Sequence, residues 1–227
     1  MTDLRRFRDY LWAIMFAAAL AVAALNSRFL WMNIRGLFHR SLDHLGKQDF
    51  ELYLHLTTAP IILVLGAILI HRTVRTKYTR LHRWGGRLYI GAVLITSIAT
   101  FRLSLNETEG TMTVIGFAVL SVLWFATALM GLTQALRGKY EAHSKWMIRN
   151  YALTLTNVTF RAEFHLLMWM GFDFDTIYEP LRILQMVPNL LIAEILIRTG
   201  FFTSCTWRDY FAPLREMFPH RKRTDLA

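Results

Sequence analysis

Long apolar runs recur along this chain, and short stretches rich in charged residues separate them. An α-helix needs about 20 mostly apolar residues to cross the hydrocarbon core of a membrane. Several of the runs are close to this length, so the pattern predicts an all-α integral membrane bundle. We place six transmembrane helices at residues 10–25, 52–70, 84–101, 111–136, 146–171 and 181–202.

The basic residues are distributed unevenly between the two sides that these spans define. Most of the 26 lysines and arginines fall before the first span, between the second and third, between the fourth and fifth, or at and beyond the end of the sixth. Short loops rich in Lys and Arg remain in the cytoplasm during insertion. We therefore expect both termini in the cytoplasm (N-in and C-in) and a location in the cytoplasmic, or inner, membrane.

The chain is expected to form one six-helix transmembrane domain, residues 1–202, followed by a cytoplasmic tail, residues 203–227. The tail interleaves aromatic and basic residues, as helices that lie in the membrane interface do. The first span has the length of a signal peptide. No clean small-residue cleavage site follows its alanine-rich core, so we expect it to be a retained helix.

Composition agrees with a membrane protein and excludes other classes. Hydrophobic residues make up 54% of the chain, and the mean hydropathy is +0.31. The formal net charge of +10 would suit a nucleic-acid partner, but the basic residues lie in separate short loops, so none is expected. The single cysteine, Cys205, excludes an intramolecular disulfide, and no metal-binding cluster, phosphate loop or nucleophile motif is found.

The fifth span carries polar residues at helical spacing. They are His143, Asn150, Thr154, Asn157, Arg161 and His165. Because this spacing places residues on one face, and because lipid cannot pair with polar groups, the resulting polar seam should face the bundle interior. A charge near the bilayer centre costs at least about 2.5 kcal/mol, so Arg161, together with Asn157 and Asn150, is a candidate site for a small anion. The alternative is that the seam only joins helices.

A buried Arg161 requires partners. We expect them among polar groups of the second span near His55, or in the carboxylate of Glu194 on the sixth span. Glu194 also lies four residues before Arg198, which is a favourable spacing for an ion pair on a helix.

Four histidines are candidate axial ligands of a b-type haem. His55 and His165 are predicted at similar depths near the outer side, and His82 and His143 near the cytoplasmic side. Neutral imidazole binds haem iron, and in dihaem membrane cytochromes paired histidines from different helices hold each haem. This placement favours a redox protein that binds haem b or a quinone. Alternatively, His82 and His143 orient helix ends at the lipid headgroups.

Two motifs give the chain a family resemblance. Residues 81–89, LHRWGGRLY, are similar to an HRxxGRxY signature, and residues 143–153, HSKWMIRNYAL, to an HxxWMxRxxAL signature; residues 158–161, VTFR, are similar to VTxR. All three resemble the domain of unknown function 2306 (DUF2306), a family of bacterial predicted membrane proteins, over roughly residues 50–165. The resemblance implies a multi-span membrane fold and no established activity. It singles out His55, His82, Arg83, Gly86, Arg87, Tyr89, His143, Trp146, Met147, Arg149 and Arg161, whereas His165 is outside the pattern.

Within these motifs, Arg83, Arg87 and Arg149 are expected to bind lipid phosphates at the cytoplasmic interface as bidentate donors. The sequence leaves three functions open. They are a haem- or quinone-linked redox protein, a small-anion transporter or sensor built around Arg161, and a structural or assembly subunit that binds another membrane protein.

Overall fold

The structure is a computed structural model that describes residues 2–28, 49–105 and 110–200, and the described residues form α-helices joined by short turns. The helices are α1 (Thr2–Ser27), α2 (Asp49–Ile70), α3 (Arg72–Thr76), α4 (Thr79–Ser104), α5 (Thr111–Leu136), α6 (Tyr140–Trp169), α7 (Phe174–Leu184) and α8 (Val187–Arg198). The expected all-α membrane bundle is confirmed. The tail, including Cys205 and His220, and the loop containing His39 and His44 lie outside the described residues.

Five helical stretches are long and apolar enough to cross a membrane. They are Arg6–Ser27, Phe50–Ile70, Thr79–Ser104, Thr111–Leu136 and Thr176–Arg198. The 30 residues of α6 supply a sixth helix of sufficient length, about 45 Å at 1.5 Å per residue. Its polar residues lower its hydropathy, and it is enclosed by the other helices. Six spans therefore fit the helices described here, while the N-in, C-in orientation stays a prediction.

Helix packing puts α6 in a central position. Along the chain, α1 packs on α2, α2 on α4, α4 on α5 and α5 on α6, while α6 also contacts α1, α2, α7 and α8. Most buried apolar residues between these helices belong to one cluster, which includes Ile62, Val93 and Tyr151. Large apolar side chains such as Ile95 and Leu191 are exposed on the outside of the bundle, as a lipid-facing surface requires.

Two glycines allow close approach between helices. A Cβ at Gly66 of α2 would overlap the rings of Tyr151 and Tyr89, so only glycine leaves room for these two tyrosines. A Cβ at Gly116 of α5 would lie 2.5 Å from the carbonyl oxygen of Arg182, where α7 passes with its backbone against α5. Small residues serve membrane bundles in this way because helices there associate through packing rather than hydrophobic exclusion.

The last span is interrupted near its middle. Its two helices, α7 and α8, are joined by a turn at Gln185 and Met186. Pro188 lies in the first turn of α8. Proline has no N–H to donate to the carbonyl of Leu184, so the helical hydrogen-bond ladder breaks there. The span also begins several residues before the predicted 181–202, because α7 continues a helix through the polar residues on either side of Pro180.

Candidate functional site

The central helix α6 divides the bundle into two halves, a near half and a far half. The near half contains residues 140–154 of α6, and the far half contains residues 156–169. In the near half, Asn150 is fully buried and its amide uses all three of its principal hydrogen-bonding positions. The Tyr89 hydroxyl donates to Asn150 Oδ1 at 2.8 Å, and Asn150 Nδ2 donates to the Trp124 carbonyl and to Thr127 Oγ1, each at 2.9 Å. This network joins α4, α5 and α6.

Thr154 extends the same network by one turn. Its hydroxyl accepts a hydrogen bond from Trp124 Nε1 at 2.9 Å and lies 3.0 Å from the Tyr89 hydroxyl. Nearby, Tyr151 donates to the carbonyl of Leu63 on α2 at 2.9 Å. The near part of the polar seam therefore consists of satisfied contacts between helices.

Arg149 has a protein partner that the sequence analysis did not identify. Its guanidinium forms a two-point ion pair with Glu194 of α8, with 3.1 Å between Nη2 and Oε2, and lies 4.8 Å from the centre of the Trp146 ring. Glu194 was expected to pair with Arg198 or Arg161. The described contacts pair it with Arg149 instead, because Ala193, the residue before Glu194, packs against Ile148 and Ala152 on either side of Arg149.

The two other arginines predicted to bind lipid phosphate are exposed. Arg83 and Arg87 lie on the outward side of α4, and the Arg87 guanidinium lies 4.8 Å from the centre of the exposed Trp84 ring. An exposed guanidinium beside a tryptophan is a common arrangement at a membrane interface. Lipid binding by Arg83 and Arg87 stays a prediction.

His82 and His143 come together at the near end of the bundle. Each is within electrostatic reach of Arg75, and the charge of His143 acts on His82. His143 Nδ1 lies 2.8 Å from the carbonyl oxygen of Gly131, so Nδ1 carries a proton and Nε2 keeps its lone pair. The buried Nδ1 of His82 has no hydrogen-bond partner among the described residues.

The other candidate histidine pair is differently placed. His55 is partly buried in α2, and its Nδ1 lies 2.9 Å from the hydroxyl of Thr100 on α4. His165 is exposed near the end of α6, and its ring rests against that of Phe164. No contact among the described residues joins the two, so the geometry offers no support for a shared haem at this pair.

Arg161 is the charged residue of the far half of the seam. It is partly buried, one turn beyond the partly buried Asn157. No hydrogen bond or ion pair joins Arg161 to a residue of the described ranges, including the expected partners near His55 and Glu194. Instead, two further positive charges act on it, those of Arg182 on α7 and Arg28 just beyond α1.

Arg182 is held by aromatic rings from three helices. Its guanidinium carbon lies 3.7 Å from the centre of the Phe160 ring, 4.7 Å from that of Phe117 and 4.8 Å from that of Tyr178. Its Nη2 also donates to the Tyr178 hydroxyl at 3.1 Å. The sequence analysis did not identify Arg182 as a site residue, although its spacing of four residues from Tyr178 could have indicated a contact between the two side chains.

Two more polar side chains in this region are buried without hydrogen bonds to described residues. Gln185 is 1% exposed, and Thr113 is 0% exposed. One turn beyond Gln185, Asn189 is satisfied, because its Nδ2 donates to Thr159 Oγ1 at 2.9 Å. The far half thus combines positive charge with unused hydrogen-bonding groups.

Comparison with known proteins places the chain in a family. The family model described as predicted membrane protein (DUF2306) matches residues 52–197, well over half of the chain. The chain belongs to the DUF2306 family. The match includes all four candidate histidines of this DUF2306 protein and also Arg161, Arg182 and Gln185, but not Arg28. No curated protein and no solved structure matches the chain.

The family description names no activity, and the side chains indicate which ligands the bundle could bind. Within residues 2–28, 49–105 and 110–200, no three His, Cys, Asp or Glu side chains gather into a metal site. The far half contains the guanidinium groups of Arg161 and Arg182. Guanidinium groups bind carboxylates and phosphates through paired N–H donors.

Proposed function

We propose that this DUF2306 protein binds a small anion within the far half of its membrane domain, as a transporter or sensor. The observation that carries the proposal is the arrangement of Arg161. It is a partly buried cation, two other arginine charges act on it, and it has no carboxylate partner among the described residues.

The physical argument concerns the electrostatic free energy of this group. Removing an ionised side chain from water is costly unless an opposite charge compensates it, and neighbouring like charges add repulsion. Elsewhere in the bundle the cost is compensated, as for Arg149 with Glu194 and for Arg102, which lies 3.0 Å from Glu51. An anion bound among the arginines of the far half would supply the missing negative charge at Arg161.

The anion has two sources that share the same chemistry, a solute from the aqueous phase and the phosphate of a lipid headgroup. Arg161 lies eight residues before the end of α6, about 12 Å along the helix axis, and an arginine side chain can extend several ångströms towards the interface. The test must therefore separate the two sources.

The experiment measures thermal unfolding of the purified protein in detergent with increasing sodium propionate or phosphate at constant ionic strength. We expect a saturable rise in the unfolding midpoint for the wild type and its loss in Arg161→Gln. The matched control is Arg102→Gln, which removes an arginine that already has a carboxylate partner and should retain the response. Stabilisation by anionic lipid alone, with no response to either solute, would assign the site to a headgroup. Equal responses in wild type and Arg161→Gln contradict the proposal.

A second candidate, a redox protein that binds haem b or a quinone, is favoured by one observation. His82 and His143 lie within electrostatic reach of each other, and His143 Nδ1 donates to the backbone carbonyl of Gly131; such a bond commonly orients a histidine whose other nitrogen binds a metal. An optical spectrum of gently purified protein tests it. A Soret band that is lost in His143→Ala supports haem binding, whereas protein that remains colourless after incubation with haem contradicts it.

A further inference from the structure

We infer that Gln185 is a second contact for the bound anion and selects a small carboxylate that carries another oxygen group beside the carboxylate, such as a hydroxy acid. The inference rests on the proposed function, because it assigns a selecting group to the same far-half site. It concerns a residue that the sequence motifs do not mark.

The first support is that the Gln185 side chain is buried while its amide nitrogen has no hydrogen-bond partner among the described residues. The side chain is 1% exposed, and the nitrogen that lacks a partner in the described ranges is Nε2. A buried primary amide offers two donors and one strong acceptor, and leaving such groups unused is costly. Natural bundles bury amides with partners, as Asn150 and Asn189 illustrate. Gln185 departs from that rule inside the cationic half.

The second support is its position relative to the arginines. Gln185 follows Arg182 by three residues, which places it one turn deeper on the same side of the helix. Asn189, one further turn along, faces α6 through its bonds to Thr156 and Thr159, and Arg182 faces α6 through its contact with Phe160. Gln185 therefore lies between two residues that both point at the helix carrying Arg161.

The third support comes from α5, which runs parallel to α7. Met112 N lies 3.4 Å from a carboxylate oxygen of Glu179, and Gly116 meets the backbone of Arg182, so residue numbers increase in the same direction on both helices. Thr113, whose buried hydroxyl also lacks a partner in the described ranges, is one turn before Gly116. Unused polar groups thus lie one turn to either side of the contact between α5 and Arg182.

The chemistry of the ligand follows from this spacing. One helical turn separates the Arg182 and Gln185 positions by about 4.5 Å along the axis. A ligand whose carboxylate lies among the arginines would meet Gln185 with a group only one or two atoms away. An amide can donate to or accept from a hydroxyl, whereas a methylene leaves it unsatisfied.

The experiment compares lactate with propionate, which differ by one hydroxyl on the same carbon skeleton. Dissociation constants are measured by titration calorimetry on the full-length protein in detergent, for the wild type, Gln185→Met and the control Gln134→Met. We expect the wild type and Gln134→Met to bind lactate about tenfold more tightly than propionate, the ratio that one hydrogen bond contributes. Gln185→Met should bind both acids equally, with its affinity for propionate unchanged.

Folding does not confound this comparison, because replacing an unpaired buried amide by a thioether of similar volume removes no hydrogen bond to a described residue. Equal affinities for lactate and propionate in the wild type overturn the role of Gln185 and leave anion binding at Arg161 intact. A lactate preference that persists in Gln185→Met also overturns it. If neither acid binds the wild type, this inference fails, whereas the proposed function fails only if phosphate and anionic lipid also leave the unfolding midpoint unchanged.

Discussion

The near and far halves of α6 carry polar residues along one helical face but in different environments. In the near half, Asn150 and Thr154 are buried in a network of hydrogen bonds, and Arg149 is paired with Glu194. In the far half, Arg161 faces other arginines and Gln185 is buried without a partner among the described residues. The polar seam on this central helix is thus joined to neighbouring helices along one part and lacks hydrogen bonds from Arg161 to described residues along the other.

The difference teaches that helical spacing alone does not assign a role to intramembrane polar residues. What separates the two roles is the presence of complementary groups on neighbouring helices. Substitution in the near half should therefore lower stability, whereas removal of charge in the far half should raise stability when no ligand is present.

The largest loss of stability is expected for Asn150→Ala. The substitution leaves the Tyr89 hydroxyl, the Trp124 carbonyl and Thr127 without their partner, and buried groups in that condition should reduce the free energy of unfolding by about 2 kcal/mol. Reversible unfolding in mixed micelles measures it. The control is Asn157→Ala on the same helix, expected to change the free energy of unfolding by less than about 0.5 kcal/mol. Similar losses for the two variants would remove the distinction between the halves.

A smaller contribution to stability is expected from the ion pair between Arg149 and Glu194 in the near half. A double-mutant cycle with Arg149→Gln and Glu194→Gln should give a coupling free energy of about 1 kcal/mol, because the pair is two-pointed and only partly exposed. The matched cycle uses Lys145 and Glu141, an i,i+4 pair on the same helix whose carboxylate is well exposed, and should give at most a few tenths of a kcal/mol. Equal coupling in both cycles would contradict the view that packing of α8 on α6 strengthens the first pair.

Arg161→Gln should raise the stability of the protein, whereas the near-half substitutions should lower it. Removing one of several like charges should raise the free energy of unfolding in anion-free buffer by about 0.5 kcal/mol, an amount that shrinks as sodium chloride screens the repulsion. The same unfolding assay at low and high salt checks both statements. A loss of stability at low salt would mean that Arg161 has a compensating partner and belongs with the near-half contacts.

The smallest effect concerns His71, which joins α2 to α3 outside the spans. Its ring lies 4.2 Å from that of Trp12, and burial lowers its pKa below the usual 6.5, with Asp9 opposing this shift and Arg75 adding to it. The folded protein therefore takes up a proton less readily than the unfolded chain. Stability should be full above pH 6.5 and decline slightly as the pH falls from there through the lowered pKa, and His71→Gln should weaken this decline. An unchanged pH profile in the variant would show that His71 contributes nothing to it.

The bundle could be predicted from the sequence because lipid imposes a simple rule on length and polarity. The fourth span was predicted at 111–136 and is observed at Thr111–Leu136. Helix ends at the interface were less predictable. The third span was predicted at 84–101, yet α4 begins at Thr79, because residues around His82 and Arg83 continue the helix beyond the apolar run.

The partners of the polar residues could not be predicted. The seam on α6 was evident from spacing, but the partner of Arg149 lies 45 residues along the chain, and no local pattern marks it. The position of Arg182 among aromatic rings was not predicted. Three aromatic rings contact its guanidinium, and this environment depends on α5 and α6 as much as on α7.

The break at Pro188 divides the last span into two helical segments with separate contacts. Its first segment is fixed by Arg182 among the rings, and its second by Glu194 on Arg149 and by Asn189 on α6. Bending at Gln185 would break no helical hydrogen bond between Leu184 and Pro188, because none exists there. The two segments are therefore anchored separately on either side of a position where one helical hydrogen bond is missing, and Gln185 lies at that position.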